Sequence, residues 1–293
     1  MITKHNTSIL CPTNDLEAHT IIALASEFGF SVFKGPNFWG ATLLDAIEHI
    51  DFEKCKPNLI AIELPDVNEK GKQLLARKGI KLHLLDHHQY SDCDKRNTHS
   101  AIEQFAKIFS LRLSAYNKLV AANDRGFIPG LLTAGATYYD MKKIRDDEAN
   151  VRGVGAIRRE AFSWFESKNI EQSPDKILYL DCPARFTSVM SEVAQFPSKA
   201  TYEQALNLRK PLKLRQVVIR YIEQDHVTQI EVLARTNRGK LSELVKKWPF
   251  ANLKSWFGGE APNYFFGAVA KSKLVKSEPQ FDVLYNELKG ILK

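Results

Sequence analysis

The chain has 293 residues, 44% of them hydrophobic and 26% charged, an ordinary globular balance that excludes a disordered tail, a collagen-like repeat and a coiled-coil rod. No apolar run approaches the ~18–20 residues needed to cross a bilayer. The first 15 residues show neither the apolar core nor the cleavage site of a signal peptide, so the default expectation is a soluble cytoplasmic protein. The formal net charge of +7 is unevenly spread: residues 1–150 carry 18 Lys and Arg against 19 Asp and Glu, residues 151–293 carry 23 against 15. A basic second half is suited to attracting a polyanion, nucleic acid first among them. The cysteines, Cys11, Cys55, Cys93 and Cys182, include no CxxC pair, which argues against a zinc ribbon or a thioredoxin-like site and for reduced thiols.

In chain order, residues 8–11 read as a short buried strand, 16–28 as a helix, 30–33 as a second strand and 42–50 as a helix. Residues 59–62 form a third strand, 71–78 a short helix ended by Gly79, and 80–85 a fourth strand. Such alternation implies βαβ units and a mostly parallel sheet. Residues 98–168 read mainly as helix, with a connecting helix at 149–165 and a loop at 169–175. Strand patterns restart at 176–180, 214–222 and 227–234, with helices at 241–248 and 280–292. The expected architecture is therefore α/β: an N-terminal, mostly parallel sheet flanked by helices over 1–150, a connecting helix and linker over 151–174, and a smaller α/β domain over 175–293.

Ligands of open parallel sheets bind outside the carboxyl ends of the strands. The first strand is followed there by Asn14, Asp15, Glu17 and His19, the third by Glu63 and Asp66, and the fourth by Asp86, His87 and His88. So many carboxylates on one sheet edge call for a cation, and carboxylates with imidazoles suit Mn²⁺, Mg²⁺ or Zn²⁺. Asp92, Cys93 and Asp94 look like a metal cluster but read better as a solvated loop. Arg158 and Arg159 are candidates for touching a polyanion. Trp256, Phe257, Tyr264 and Phe265 are candidates for stacking bases.

The run Leu84-Leu85-Asp86-His87-His88 resembles the signature of the DHH phosphoesterase superfamily. Three further motifs resemble the family's in the right order: Cys11-Pro12-Thr13-Asn14-Asp15-Leu16-Glu17-Ala18, Ile60-Ala61-Ile62-Glu63-Leu64-Pro65, and Ala121-Ala122-Asn123-Asp124-Arg125-Gly126. Ala234-Arg235-Thr236 and Phe257-Gly258-Gly259-Glu260, followed by Tyr264 to Gly267, resemble the family's associated substrate-binding domain. The resemblance, closest to the RecJ-like and oligoribonuclease-like branches, implies a phosphodiesterase with two divalent ions, Mn²⁺ first and Mg²⁺ or Zn²⁺ as alternatives. It implies metal ligands at Asp15, Glu17, Glu63, His87 and Asp124, with Glu63 bridging. It places His88 at the scissile phosphate and makes Asp86 an orienting partner of the imidazoles. Arg235, Thr236, Gly258 and Gly259 would hold substrate.

The implied partner is a short single-stranded nucleic acid or a small, linear or cyclic nucleotide; no membrane is expected, and homodimerisation is left open. Three departures stand out. Cys11 replaces the family's first histidine, as a thiolate ligand or as a small buried thiol. Glu17 and Glu63 replace aspartates. Glu260 replaces a histidine after the glycine pair. These changes motivate a rival expectation, a catalytically weak nucleotide-binding or sensor module.

Overall fold

The computed structural model describes residues 2–87, 98–168, 170, 176–208, 212, 214–234, 243, 253–260, 263–270 and 278–292. The chain divides into two compact units, Met1–Arg152 and Gly153–Lys293. No helix among the described residues is long and apolar enough to cross a membrane.

The first unit is built on a fully parallel four-stranded sheet. Its strands are β1 (Thr7–Cys11), β2 (Ser31–Lys34), β3 (Asn58–Ile62) and β4 (Lys81–Leu85), in the spatial order β2-β1-β3-β4. Alternation along the strands decides which face each residue serves. Ile9, Cys11, Ile60 and Ile62 pack with Ala18, Ile21, Ile102 and Phe105, which come from α1 (Leu16–Glu27) and α4 (Ala101–Ile108). Leu10, Leu59 and Ala61 pack on the other face against Leu43, Ala46 and Leu75, from α2 (Leu43–Ile47) and α3 (Lys70–Arg77). A parallel sheet covered on both faces needs strands apolar on both sides, and the apolar runs at 59–62 and 8–11 supply them. Gly79 follows α3 at φ 73°, the left-handed conformation expected of a residue that ends a helix.

Helix α5 (Ala115–Thr133) is interrupted: Gly126 and Phe127 leave helical geometry, and Phe127 takes φ 55° and ψ −141°. The break brings Gly130 so near the Ala122 carbonyl that a Cβ there would lie 2.1 Å from its oxygen. Only glycine fits at 130. Helix α6 (Tyr138–Val151) opens on a Thr137/Asp140 capping box and ends before Gly153, whose φ is 70°. The single helix expected over 149–165 is therefore two helices, because the chain turns left-handed at Gly153.

The second unit begins with α7 (Gly155–Ser167) and carries a five-stranded sheet. Its strands are β5 (Ile177–Pro183), β6 (Gln216–Glu223), β7 (His226–Ala234), β8 (Leu253–Glu260) and β9 (Asn263–Ala270), in the order β5-β6-β7-β9-β8. β5 runs parallel to β6, and the other neighbours are antiparallel. Val217, Ile219 and Tyr221 share one core with Ala161 and Phe165 of α7 and Met190 and Val193 of α8 (Met190–Gln195). Val218, Ile230, Val232, Phe266 and Ala268 share another with Phe281, Leu284 and Leu288 of α10 (Glu278–Ile291). Helices α8 and α9 (Lys199–Asn207) are not among the elements expected from sequence. Of the helix expected at 241–248, only Glu243 is described, and it is helical.

Candidate metal centre

The carboxyl edge of the first sheet carries the site. β3 ends at Ile62 and β4 at Leu85, and the amide of Glu63 donates to the Leu85 carbonyl at 2.9 Å. That bond extends the pairing by one residue and sets Glu63 beside the Asp86-His87 segment. Gln104 of α4 holds the same segment, its Nε2 donating to the carbonyls of Asp86 at 3.0 Å and His99 at 2.8 Å. Glu63 itself adopts φ 48°, a left-handed backbone that costs a non-glycine residue about 1–3 kcal/mol.

Asp124 reaches the same point from α5, just before that helix breaks. His87 Nε2 lies 2.9 Å from Asp124 Oδ2 and 3.3 Å from Glu63 Oε1. Among the described residues, one ligand atom from each of Glu63, His87 and Asp124 lies within 4.8 Å of the other two. The side chains are 12%, 13% and 15% exposed, respectively, so solvent reaches the cluster but screens it poorly.

Glu17 stands behind them, fully within α1's buried first turn. Its Oε1 accepts from the Ile102 amide at 3.0 Å, at the start of α4, while Oε2 is buried and meets no hydrogen-bond donor of standard geometry. Asp15 caps α1, accepting from the Ala18 amide at 2.8 Å, and the Leu16 amide donates to Glu148 Oε2 of α6 at 3.0 Å. Carboxylates are favoured at helix amino ends by the exposed N–H groups and the helix dipole.

The electrostatics follow from crowding. Burial pushes the Glu63 carboxyl well above the usual carboxylate range, and the charges of Asp124, Asp15 and Asp86 push it further. Glu17 is raised likewise, by burial first and then by Asp124 and Glu63. Burial alone would lower His87, but its hydrogen bond to Asp124 and the charges of Asp124, Glu17 and Asp86 outweigh it, and the imidazole is raised above its ordinary value. Crowding and burial together thus disfavour the fully charged, metal-free carboxylates. A divalent cation would offset the same repulsion, and two carboxylates with one imidazole are hard and borderline donors that fit Mn²⁺, Mg²⁺ or Zn²⁺.

Cys11, at the end of β1, is buried, and its thiol donates to the Ala18 carbonyl at 3.5 Å. Burial first, then Asp15, Glu17 and Glu63, raise its pKa well above the ordinary thiol value. It is a protonated thiol packed beneath the carboxylates. His19 is exposed, and its Nε2 lies 3.2 Å from the Thr13 carbonyl oxygen.

Framework residues that the sequence did not single out complete the site. Arg145 of α6 is buried, donates to Asn123 Oδ1 at 3.0 Å and stacks 4.2 Å from the centre of the Phe127 ring. Arg125 pairs with Glu103 of α4. These contacts clamp both sides of Asp124. They join residues far apart in sequence, so no local motif announces them.

His88, the 92–94 cluster, Arg235 and Thr236 lie outside the described residues. Gly258 and Gly259 do not form a loop: they sit in β8, paired with Phe265 and Tyr264 of β9. Tyr264 packs against the second unit's core, while Phe265 is 41% exposed. Arg158, a candidate for either a polyanion contact or a solvated helix face, instead turns inward to a buried ion pair with Glu192; Arg159 is exposed.

No protein-family model matches this chain, and no curated protein matches it. Among solved structures, the crystal structure of the exonuclease RecJ bound to manganese is similar, with a TM-score of 0.43 and 12% identity, over 94% of this chain and 88% of that one.

Proposed function

We propose that this chain is a DHH-type, metal-dependent phosphodiesterase acting on short single-stranded nucleic acid or a small nucleotide. The observation that carries the reading is the convergence of Glu63, His87 and Asp124 at the carboxyl edge of a parallel sheet. Asp15 and Glu17 press against that cluster electrostatically. In this reading Glu63, His87 and Asp124 would hold divalent metal, with Asp15 and Glu17 as further ligands. Bound there, such ions supply Lewis acidity toward a phosphate oxygen and a water of lowered pKa. Asp86 orients the imidazole of His87, and His88 takes the scissile phosphate. Arg235, Thr236, Gly258 and Gly259, in the second unit, would hold substrate.

The test is Mn²⁺-dependent hydrolysis of a panel of dinucleotides, short single strands and cyclic dinucleotides. Turnover that EDTA abolishes and Mn²⁺ restores is expected, and the preferred panel member identifies the substrate. Mn²⁺ at a hundredfold excess over its Kd is also expected to stabilise the protein by about 2.7 kcal/mol. Absence of both effects overturns the metal centre. A second reading, a nucleotide-binding module without turnover, is favoured by Asp15 and Glu17, each of which already spends an oxygen on a helix amino end. Tight binding of a panel member with no hydrolysis in any divalent ion would select it.

A further inference from the structure

The loop after β2 emerges at the same sheet edge as the metal cluster and presents two large aromatic side chains to solvent. Phe38 is 51% exposed and Trp39 64%. Isolated exposed apolar residues are common, but this pair is built in. The Gly35 amide donates to the Cys11 carbonyl at 2.7 Å, and the Thr13 amide donates to the Pro36 carbonyl at 3.1 Å. The loop is thereby laced to the segment leading into Asp15. At Gly35 a Cβ would come within 3.4 Å of the Cys11 carbonyl oxygen and 3.5 Å of Pro12 Cα, so the two segments run in close contact.

Positive charge accompanies the rings. Lys34, the last residue of β2, is exposed and pairs in register with Cys11. The Arg152 guanidinium lies 5.8 Å from the centre of the Trp39 ring, within cation–π range. Arg152 follows Glu148 by four residues, ~6 Å along the helix axis, and Glu148 accepts from the Leu16 amide beside Asp15. The Trp39 loop and Arg152 are thus anchored, through two separate sets of bonds, to the residues that flank the candidate metal centre.

An indole with an arginine on it and solvent over much of its remaining surface, next in sequence to an exposed phenylalanine and five residues after an exposed lysine, has the makeup of a single-strand binder. Rings stack bases without regard to sequence, and cations meet the backbone. We propose that Trp39, with Arg152, Phe38 and Lys34, forms a base-stacking subsite for single-stranded nucleic acid whose phosphate reaches the Glu63–His87–Asp124 cluster. The assignment rests on the phosphodiesterase reading for the phosphate's destination. The stacking itself can be measured without it.

The experiment is fluorescence anisotropy of the full-length chain, in EDTA, with a labelled pentathymidylate and an abasic strand of equal length. The wild-type chain is expected to prefer the base-bearing strand by ~5- to 100-fold. Trp39→Ala should reduce that preference to near unity, and Trp39→Tyr should keep most of it. No preference in the wild type, or a preference that survives in Trp39→Ala, overturns the subsite. Mn²⁺-dependent cleavage of the same pentathymidylate by the wild type is scored separately. Cleavage with an unchanged preference in Trp39→Ala sinks the subsite alone, whereas a preference lost in Trp39→Ala without wild-type cleavage of the pentathymidylate or of any other panel member sinks the phosphodiesterase reading alone.

Discussion

His87→Ala is expected to lower Mn²⁺-dependent hydrolysis by at least ~10²-fold and to weaken Mn²⁺ binding ~10- to 100-fold, since even residues one shell out from a metal have effects of that size. The imidazole stands between Glu63 Oε1 and Asp124 Oδ2, at 3.3 and 2.9 Å, and without it the two carboxylates face each other with nothing between them. The direction of the pH dependence follows from the raised His87 pKa. In the metal-free protein, the stability due to protonated His87 is fully present below the unfolded-state value and is lost as pH rises through the folded-state value. A cation needs the neutral ring, so Mn²⁺ affinity should climb through the same window, in competition with that proton. Initial rates, calorimetric Mn²⁺ titrations and thermal melts of both proteins test this together. Wild-type turnover and Mn²⁺ affinity in the variant would remove His87 from the site.

Arg158→Ala is expected to destabilise the second unit by about 3–5 kcal/mol, the usual consequence of removing one member of a buried ion pair. Arg158 Nε and Nη2 each lie 2.7 Å from Glu192 Oε1, and the two side chains are 7% and 6% exposed. The rings of Phe162 and Phe196 stand 4.9 and 5.9 Å from the guanidinium carbon, so no water replaces the lost charge cheaply and Glu192 is left buried. Arg158→Met combined with Glu192→Leu removes both charges and should recover most of the loss, because exchanging a whole buried pair for apolar residues is often neutral. Scanning calorimetry of the full chain tests both variants. A loss below about 1 kcal/mol in Arg158→Ala would show that the pair is solvated in solution.

The parts of this protein that read easily from sequence are those in which local pattern and tertiary role coincide. The runs Ser8 to Cys11 and Leu59 to Ile62 are apolar because both faces of β1 and β3 are buried, and they end abruptly at the polar residues that form the site. Position at a strand end was enough to set Glu63 and His87 on one sheet edge, where their ligand atoms meet that of Asp124. β8 and β9 were obscure because Gly258 and Gly259 are poor strand formers; they are extended because β9 pairs with both β7 and β8. Arg158 and Arg159 are neighbours of one chemistry, and only the position of Glu192 on a separate helix decides which turns inward. The same holds for Glu148 and Arg145, whose partners in α1 and α5 lie outside any window that a motif could span.

The backbone of Glu63 has a consequence for how this chain would change under selection. Its left-handed conformation would be relaxed by glycine and tolerated by asparagine, and either would also remove a buried carboxyl from a crowd of like charges. Under the proposed metal centre, position 63 is therefore where durability and chemistry pull in opposite directions. Descendants chosen for heat resistance alone would be expected to discard the glutamate early, whereas descendants chosen for turnover would keep it and gather their stability elsewhere in the two cores.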